Sequence, residues 1–235
     1  MEALTDKPPR LPVMASIIFV GTYFGFSFAR HSGQVPDSWS LMPVVETAWL
    51  NFLIVLATIF WMRARKISLV TVGLAPFKPA RSLLMWTLVV MAIDTLAIGL
   101  ATPPLTSIFG ETPQVARFDE LPGNLPLLLV LLPVIWLFGA FGEEFFFRGF
   151  LLTTIAWLLG GTRAAWIAAV ALQALAFGLV HAYQGPTQAI SIGIGGAVYG
   201  AAFLFAGKNL WPVILAHGFN DTLGFILLYS GVIQR

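Results

Sequence analysis

The sequence predicts an all-α protein, a polytopic bundle of about seven to eight transmembrane helices. The 235-residue chain is 58% hydrophobic and only 10% charged, whereas a soluble domain carries about 25% charged residues. Its apolar runs are roughly 17–22 residues long, which is enough to cross a bilayer as a helix. They are too long for the strands of a membrane barrel, which need ~9–11 alternating residues.

Seven apolar segments follow one another along the chain. They fall at about 12–29, 43–62, 82–101, 125–142, 164–183, 187–206 and 210–230. Residues 143–159 are also apolar and extend the fourth segment into a helix of up to ~50 Å, longer than the ~30 Å bilayer core. We expect this extension to tilt, bend or lie at the interface, and Gly160-Gly161 to end it.

These segments are expected to form one compact bundle with two parts. The first part, residues 1–124, contains the N-terminal transmembrane segments and an external loop. The second part, residues 125–235, is predicted to be a catalytic helical core, because most of the polar residues inside its spans can serve chemistry. Asp94, in the third segment, is instead expected to line a water-filled cavity or to bond another helix.

The distribution of lysine and arginine predicts the orientation of the chain. Basic residues precede the first span and crowd the second connection: Lys7, Arg10, Arg63, Arg65, Lys66, Lys78 and Arg81. The positive-inside rule therefore places the N-terminus in the cytoplasm of an integral membrane protein, most simply of a bacterial inner membrane. Simple alternation then puts Glu143 near the inner face and His181 near the outer end of the fifth span. A shared site would require one of these segments to be displaced or tilted.

The composition also excludes several classes of function. There are no cysteines, so disulfides, thiolate metal ligands and a cysteine nucleophile are excluded. The net charge of +2 is spread along the loops and forms no basic patch suited to nucleic acid. The partner expected on these grounds is the lipid bilayer.

Two carboxylates and a guanidinium occur together in the apolar fourth segment. A charge at the bilayer centre costs about 2.5–3.5 kcal/mol on insertion scales. The presence of Glu143, Glu144 and Arg148 in this segment therefore indicates a specific structural or functional role. Glu144 and Arg148 are four residues apart on a helix and can form an ion pair. Glu143 is rotated by about 100° from Glu144 and is the carboxylate left over, which makes it a candidate general base.

Two histidines supply the other polar groups of the predicted site. Phe177 and His181 are four residues apart and share a face near the end of the fifth segment. His217 lies inside the seventh segment, with Asn220 and Asp221 on the same side of the helix. An amide or a carboxyl group there can orient the imidazole or donate a hydrogen bond itself if the acid is protonated.

Glu143, His181, His217 and Asp221 can together hold and activate a water molecule. Glu143 would take its proton, His181 would help to position it, and His217 with its neighbour would stabilise the oxyanion of an attacked carbonyl. Glu143, His181 and His217 are equally compatible with a divalent metal such as zinc, and the residues leave this choice open. A transporter-like or scaffold protein with a buried charge network is the non-enzymatic alternative.

These motifs closely resemble the CAAX protease and bacteriocin-processing family of intramembrane proteases, the group of type II CAAX prenyl endopeptidases and lysostaphin-resistance-like proteins. The family pattern is Glu-Glu-x-x-x-Arg, then Phe-x-x-x-His, then His-x-x-x-Asn or Asp. In this chain, Glu143 to Arg148, Phe177 to His181 and His217 to Asp221 match it in order. The resemblance covers roughly residues 125–230.

The resemblance implies a membrane-embedded endopeptidase. Glu143 and His181 would activate water, His217 and Asp221 would stabilise the oxyanion, and Glu144 with Arg148 would support them. An ionised Asp221 would repel an oxyanion, so Asp221 must be protonated, orient His217, or leave the donor role to Asn220. The resemblance suggests CAAX-type cleavage, bacteriocin or peptide processing, or self-immunity. We favour a mechanism without a cofactor, because the sequence contains no preassembled pair of metal ligands.

Overall fold

A computed structural model of the chain describes residues 42–77, 79–110 and 118–233. Its long helices are α1 (Met42–Ala64), α2 (Ala80–Phe109), α3 (Leu125–Leu158), α4 (Arg163–Val180), α5 (Pro186–Phe205) and α6 (Trp211–Tyr229). No strand occurs in these described ranges. The predicted all-α fold is therefore confirmed.

The five helices α2 to α6 are long and apolar enough to cross a membrane, judged by length and composition. They match the five predicted segments from 82–101 onward. α2 continues past the predicted end at residue 101 to Phe109, through Pro103 and Pro104. The first predicted segment, 12–29, lies outside the described residues. The chain is thus an integral membrane helix bundle, and the count of seven to eight segments is broadly consistent with it.

α3 is the central helix of the bundle and contacts α1, α4 and α6. Asn124 caps its start by accepting a hydrogen bond from the backbone N–H of Leu127 at 3.1 Å. Residues Ile135–Leu152 are wound as a π-helix, in which backbone hydrogen bonds join residues five apart. The predicted extension of the fourth segment is present as far as Leu158, and most of its residues up to Leu152 are buried within the bundle.

A tight turn returns the chain from α3 to α4. Gly160 and Gly161 both adopt positive φ, +92° and +67°, which glycine reaches without the steric cost of a side chain. Thr162 then caps α4 by accepting a hydrogen bond from the N–H of Ala165 at 3.2 Å. Such a short connection makes α3 and α4 antiparallel neighbours.

The connection after α1 and the connection before α6 meet on the same face of the bundle as this turn. Leu210 donates its N–H to the carbonyl of Gly73 at 2.9 Å, and Asn209 donates its amide to the carbonyl of Ala75 at 2.8 Å. The ammonium of Lys208 lies 3.6 Å from the ring centre of Trp166 near the start of α4. Together these contacts fix the start of α6 against the rest of the bundle.

Glycines bring α4 and α5 into close contact. A Cβ atom added to Gly178 would lie 2.5 Å from the carbonyl oxygen of Ala189 and 3.1 Å from the Cα of Gly193. Gln173 donates its side-chain amide across the same interface to the carbonyl of Gly196 at 2.8 Å. The glycines and this hydrogen bond together hold α4 tightly against α5.

Gly178→Ala is expected to destabilise the bundle by about 1–3 kcal/mol, because the new methyl group must push backbone atoms apart. Thermal unfolding in detergent micelles measures the loss. Gly99→Ala is the matched control, since no atom lies within 4 Å of the position its Cβ would take. Equal midpoints for the two variants would show that the α4–α5 interface can relax at no cost.

Candidate active site

The buried Glu144–Arg148 ion pair is the framework of the site. Nη1 of Arg148 lies 2.9 Å from Oε1 of Glu144, and neither side chain is exposed at all. The guanidinium is also covered by two aromatic rings, with its Cζ 4.2 Å from the ring centre of Phe177 and 5.4 Å from that of Tyr199. The predicted ion pair is confirmed, and cation–π contacts add to it.

His217 joins this pair from α6. Its Nδ1–H donates to Oε1 of Glu144 at 2.8 Å, so the same carboxylate oxygen receives both Arg148 and His217. α6 approaches α3 closely here because Gly218 carries no side chain. A Cβ at Gly218 would lie 2.6 Å from the ring of Trp136. The Glu144–His217 bond was not predicted from the sequence.

Asp221 lies at the other edge of the His217 ring. Its Oδ2 is 3.4 Å from Nε2 of His217. It also approaches α3, since a Cβ at Gly139 would lie 3.6 Å from the same oxygen. His217 therefore has a carboxylate beside each ring nitrogen, one on its own helix and one on α3. Of the three roles considered for Asp221, orientation of His217 is the one that this geometry favours.

Glu143 is half-buried and lies next to this group. Its carboxylate is within electrostatic range of His217, Asp221, Arg148 and Glu144. Glu144, by contrast, is fully buried and carries the direct hydrogen bonds to Arg148 and His217. The structure thus gives the two adjacent carboxylates different surroundings, with Glu143 the more accessible of the two.

His181 ends α4 and is held by its own helix. Its Nδ1–H donates to the carbonyl of Phe177 at 2.8 Å, and the two rings are 4.8 Å apart. With the proton on Nδ1, the neutral imidazole presents Nε2 as a hydrogen-bond acceptor. Phe177 packs in turn against Phe147 of α3, with ring centres 4.8 Å apart. This aromatic contact ties the end of α4 to the carboxylate-bearing part of α3.

The hairpin of α3 and α4 brings Glu143 and His181 to a similar level along the helix bundle. The two helices run antiparallel and touch at Phe147 and Phe177. Glu143 lies one turn before Phe147 on α3, and His181 lies one turn after Phe177 on α4, so both are displaced from this contact in the same direction. Glu143 is about 25 Å along α3 from the turn at Gly160. α3 continues through residue 143 without ending, and the contact of Phe147 with Phe177 brings the two helices together close to Glu143 and His181.

Asn220 forms hydrogen bonds to two other helices. Its amide donates to Oδ2 of Asp94 at 3.0 Å and to the hydroxyl of Tyr199 at 3.3 Å. Both N–H groups are therefore used in binding α2 and α5. The sequence left open whether Asn220 supplies the oxyanion donor, and this remains a prediction.

Comparison with known protein families identifies part of the chain. Residues 125–223 match the family model of type II CAAX prenyl endopeptidase Rce1-like proteins. Residues 125–223 belong to this family. All eight site and supporting residues predicted from the sequence fall within this Rce1-like region, which runs from the start of α3 almost to the end of α6. No curated protein and no solved structure matches the chain significantly.

The Rce1-like match implies a protease that acts on a peptide at the membrane, and it confirms the family assigned from the three motifs. It says nothing about the individual site residues. It also leaves the N-terminal part of the chain, including α1 and α2, outside the matched region.

The donor set does not fit a metal ion in this arrangement. Glu143, His181 and His217 were the ligands predicted for a metal-dependent Rce1-like enzyme. Among the described residues, no group of three His, Asp or Glu side chains is arranged to hold one metal ion. Nδ1 of His217 donates to Glu144, and its Nε2 lies 3.4 Å from Oδ2 of Asp221. No step below is therefore assigned to a metal.

Two residues near the site were not predicted to belong to it. Asp94 was expected to bond another helix, and it does so, but its partner Asn220 is part of the Rce1-like His217–Asp221 motif. Tyr199 lies with its ring 5.5 Å from that of His217. A carboxylate in the middle of an apolar span was the signal for Asp94. A single tyrosine in a glycine-rich helix gave no comparable signal.

Proposed function

We propose that this protein is an intramembrane endopeptidase that hydrolyses peptide bonds in or near the bilayer with water activated by Glu143 and His181. The observation that supports the proposal is the difference in surroundings between the two adjacent glutamates. Glu144 is fully buried and bonded to Arg148 and His217, whereas Glu143 lies beside His217 and Asp221 on the more accessible side. The Rce1-like match supports the same class of activity.

In the first step, the Glu143 carboxylate accepts a proton from a water molecule while the water oxygen attacks the scissile carbonyl carbon. The second O–H of this water stays intact and donates a hydrogen bond to Nε2 of His181, which orients the attacking lone pair. This role is supported by the bond of Nδ1–H to Phe177, which fixes the tautomer that has an acceptor at Nε2. The products of this step are a tetrahedral oxyanion and a protonated Glu143.

In the second step, the oxyanion collapses, the C–N bond breaks, and protonated Glu143 returns its proton to the leaving amine. His217 is the assigned oxyanion donor. Its Nδ1–H is anchored on Glu144 and its Nε2 edge faces Asp221. In the imidazolium form, Nε2–H can turn its hydrogen bond from Asp221 to the oxyanion. A preorganised donor of this kind typically contributes 10²–10³ in kcat.

The substrate is proposed to be a membrane-associated peptide or protein. CAAX-type cleavage of a prenylated C-terminus, processing of a bacteriocin or other peptide, and self-immunity all agree with the family match. We place the protein in a bacterial inner membrane with its N-terminus in the cytoplasm, as the early lysines and arginines indicate. The proposed mechanism uses no cofactor.

Cleavage of a reporter peptide by the purified protein in phosphatidylcholine vesicles tests this proposal. The reporter ends in a Cys-aliphatic-aliphatic-X sequence and is supplied in farnesylated and unmodified forms with the same lipid anchor. Cleavage of either form supports the peptidase, and preference for one form identifies the substrate class. Proton or sodium flux in the same vesicles, with no cleavage of either peptide, would support the non-enzymatic transporter-like alternative instead.

Asp221→Asn is expected to retain cleavage within about threefold of the wild type, because the amide can still hydrogen-bond Nε2 of His217. Asp221→Leu removes that contact and is expected to reduce kcat by about 10²-fold. Steady-state kinetics on the reporter distinguish the two variants. Full activity of Asp221→Leu would show that Asp221 does not orient His217.

A further inference from the structure

A second polar cluster joins three helices beside the site. Asp94 of α2 accepts hydrogen bonds at Oδ2 from the amide of Asn220 on α6, at 3.0 Å, and from the hydroxyl of Tyr199 on α5, at 3.5 Å. Asn220 also donates to the Tyr199 hydroxyl at 3.3 Å. The three side chains therefore form a closed triangle of hydrogen bonds that joins α2 to α5 and α6.

This cluster is connected to His217 by two routes. Asn220 is three residues after His217 and immediately precedes Asp221, so its position fixes the rotation of that turn of α6. Tyr199 has its ring centre 5.5 Å from that of His217 and 5.4 Å from Cζ of Arg148. A change at Asp94 would thus reach the imidazole through α6 and through the Tyr199 ring.

The bundle is shaped to accept a carboxylate at this position. Asp94 is only 6% exposed. A Cβ at Gly195 would lie 2.9 Å from its Oδ1, so the glycine leaves space for the group. Burying a carboxylate in an apolar span is unfavourable unless its bonds are specific, and an intramembrane acid of this kind suggests a functional role.

We propose that Asp94 is a positioning residue for the peptidase reaction. By holding Asn220 and Tyr199 it sets the rotation of α6, and hence the direction in which His217 and Asp221 face the reacting carbonyl. The inference rests on the proposed function. It gives α2, which lies outside the matched family region, a part in the active site.

The test compares Asp94→Leu with Asp94→Asn in the vesicle assay on the reporter peptide. Asp94→Leu removes the acceptor at similar size, and kcat is expected to fall by about 10- to 100-fold with KM changed less than about threefold, because a displacement near 1 Å can cost 10²-fold. Asp94→Asn can still accept from Asn220 through its carbonyl oxygen. It is therefore expected to recover kcat to within about fivefold of the wild type.

Thr102→Val is the matched structural control. Thr102 and Ser191 form a hydrogen bond of 3.1 Å between the same helices, α2 and α5, at a different level of the bundle. Its loss should weaken the α2–α5 contact without changing kcat. The double variant Asp94→Leu/Tyr199→Phe provides the second control. If the two residues act in one network, the loss of kcat in the double variant is smaller than the product of the losses in the two single variants.

Three results would each overturn the positioning role. The first is an unchanged kcat in Asp94→Leu, and the second is an equal loss of kcat in Thr102→Val. The third is a double variant whose loss of kcat equals the product of the losses in Asp94→Leu and Tyr199→Phe. If Asp94→Leu does not fold, Asp94→Asn, Tyr199→Phe and their combination are compared instead. A loss of kcat in the combination that equals the product of the separate losses overturns the role, and a smaller loss supports it. A wild type that cleaves nothing overturns the proposed function and this inference together, whereas a cleaving wild type with an equally active Asp94→Leu overturns this inference alone.

Discussion

Glu143→Gln is expected to lower kcat/KM for the reporter peptide by about 10³-fold or more, the upper part of the range for loss of general acid–base catalysis. The amide has nearly the same shape as the carboxylate but cannot accept the proton of water. The fold should persist, because the direct hydrogen bonds to Arg148 and His217 are made by Glu144. Cleavage of the reporter in vesicles measures the loss, and thermal unfolding of the same preparations checks the fold.

Glu120→Gln is the matched control for this experiment. It makes the same chemical change on an exposed residue outside the helices, so its activity should equal that of the wild type. Glu144→Gln should lose both activity and thermal stability, since Glu144 holds Arg148 and His217. If Glu143→Gln remained active while a folded Glu144→Gln did not, Glu144 would be the base and the roles assigned here would have to be exchanged.

Arg148→Met is expected to destabilise the protein by about 3–5 kcal/mol, because it leaves a buried carboxylate without its charged partner. Neither Glu144 nor Arg148 is exposed at all, so solvent cannot replace the lost bond. Unfolding in detergent, followed by tryptophan fluorescence, should show a strongly lowered midpoint. The effect should be larger than that of any other single change considered for this bundle.

The double variant Glu144→Gln/Arg148→Met separates loss of the pair from loss of packing. It removes both charges, so it should be more stable than Arg148→Met alone, although it also weakens the hydrogen bond to His217. Arg163→Met, at the exposed start of α4, should change the midpoint little. A midpoint for Arg148→Met equal to that of Arg163→Met would contradict the structural role of the ion pair.

The sequence predicted the helices in the part of the chain that the structure describes. Apolar runs of spanning length determine the helices, because a chain in lipid must satisfy its backbone hydrogen bonds within each segment. Spacing along one helix also determined local pairs. Glu144 and Arg148, four residues apart, meet as predicted, and so do Phe177 and His181. These contacts require only helical geometry.

Contacts between distant helices were decided only by the tertiary structure. These contacts depend on how the helices are rotated and displaced. They include the hydrogen bond of His217 to Glu144 and those of Asn220 to Asp94 and Tyr199. The similar level of Glu143 and His181 along the bundle depends on the same packing. In a soluble protein the apolar stripe of a helix shows which face is buried. In lipid both faces are apolar, and small residues such as Gly195 and Gly218 set the approach. The sequence therefore determined which polar groups are present, and the packing of the bundle decided which of them meet.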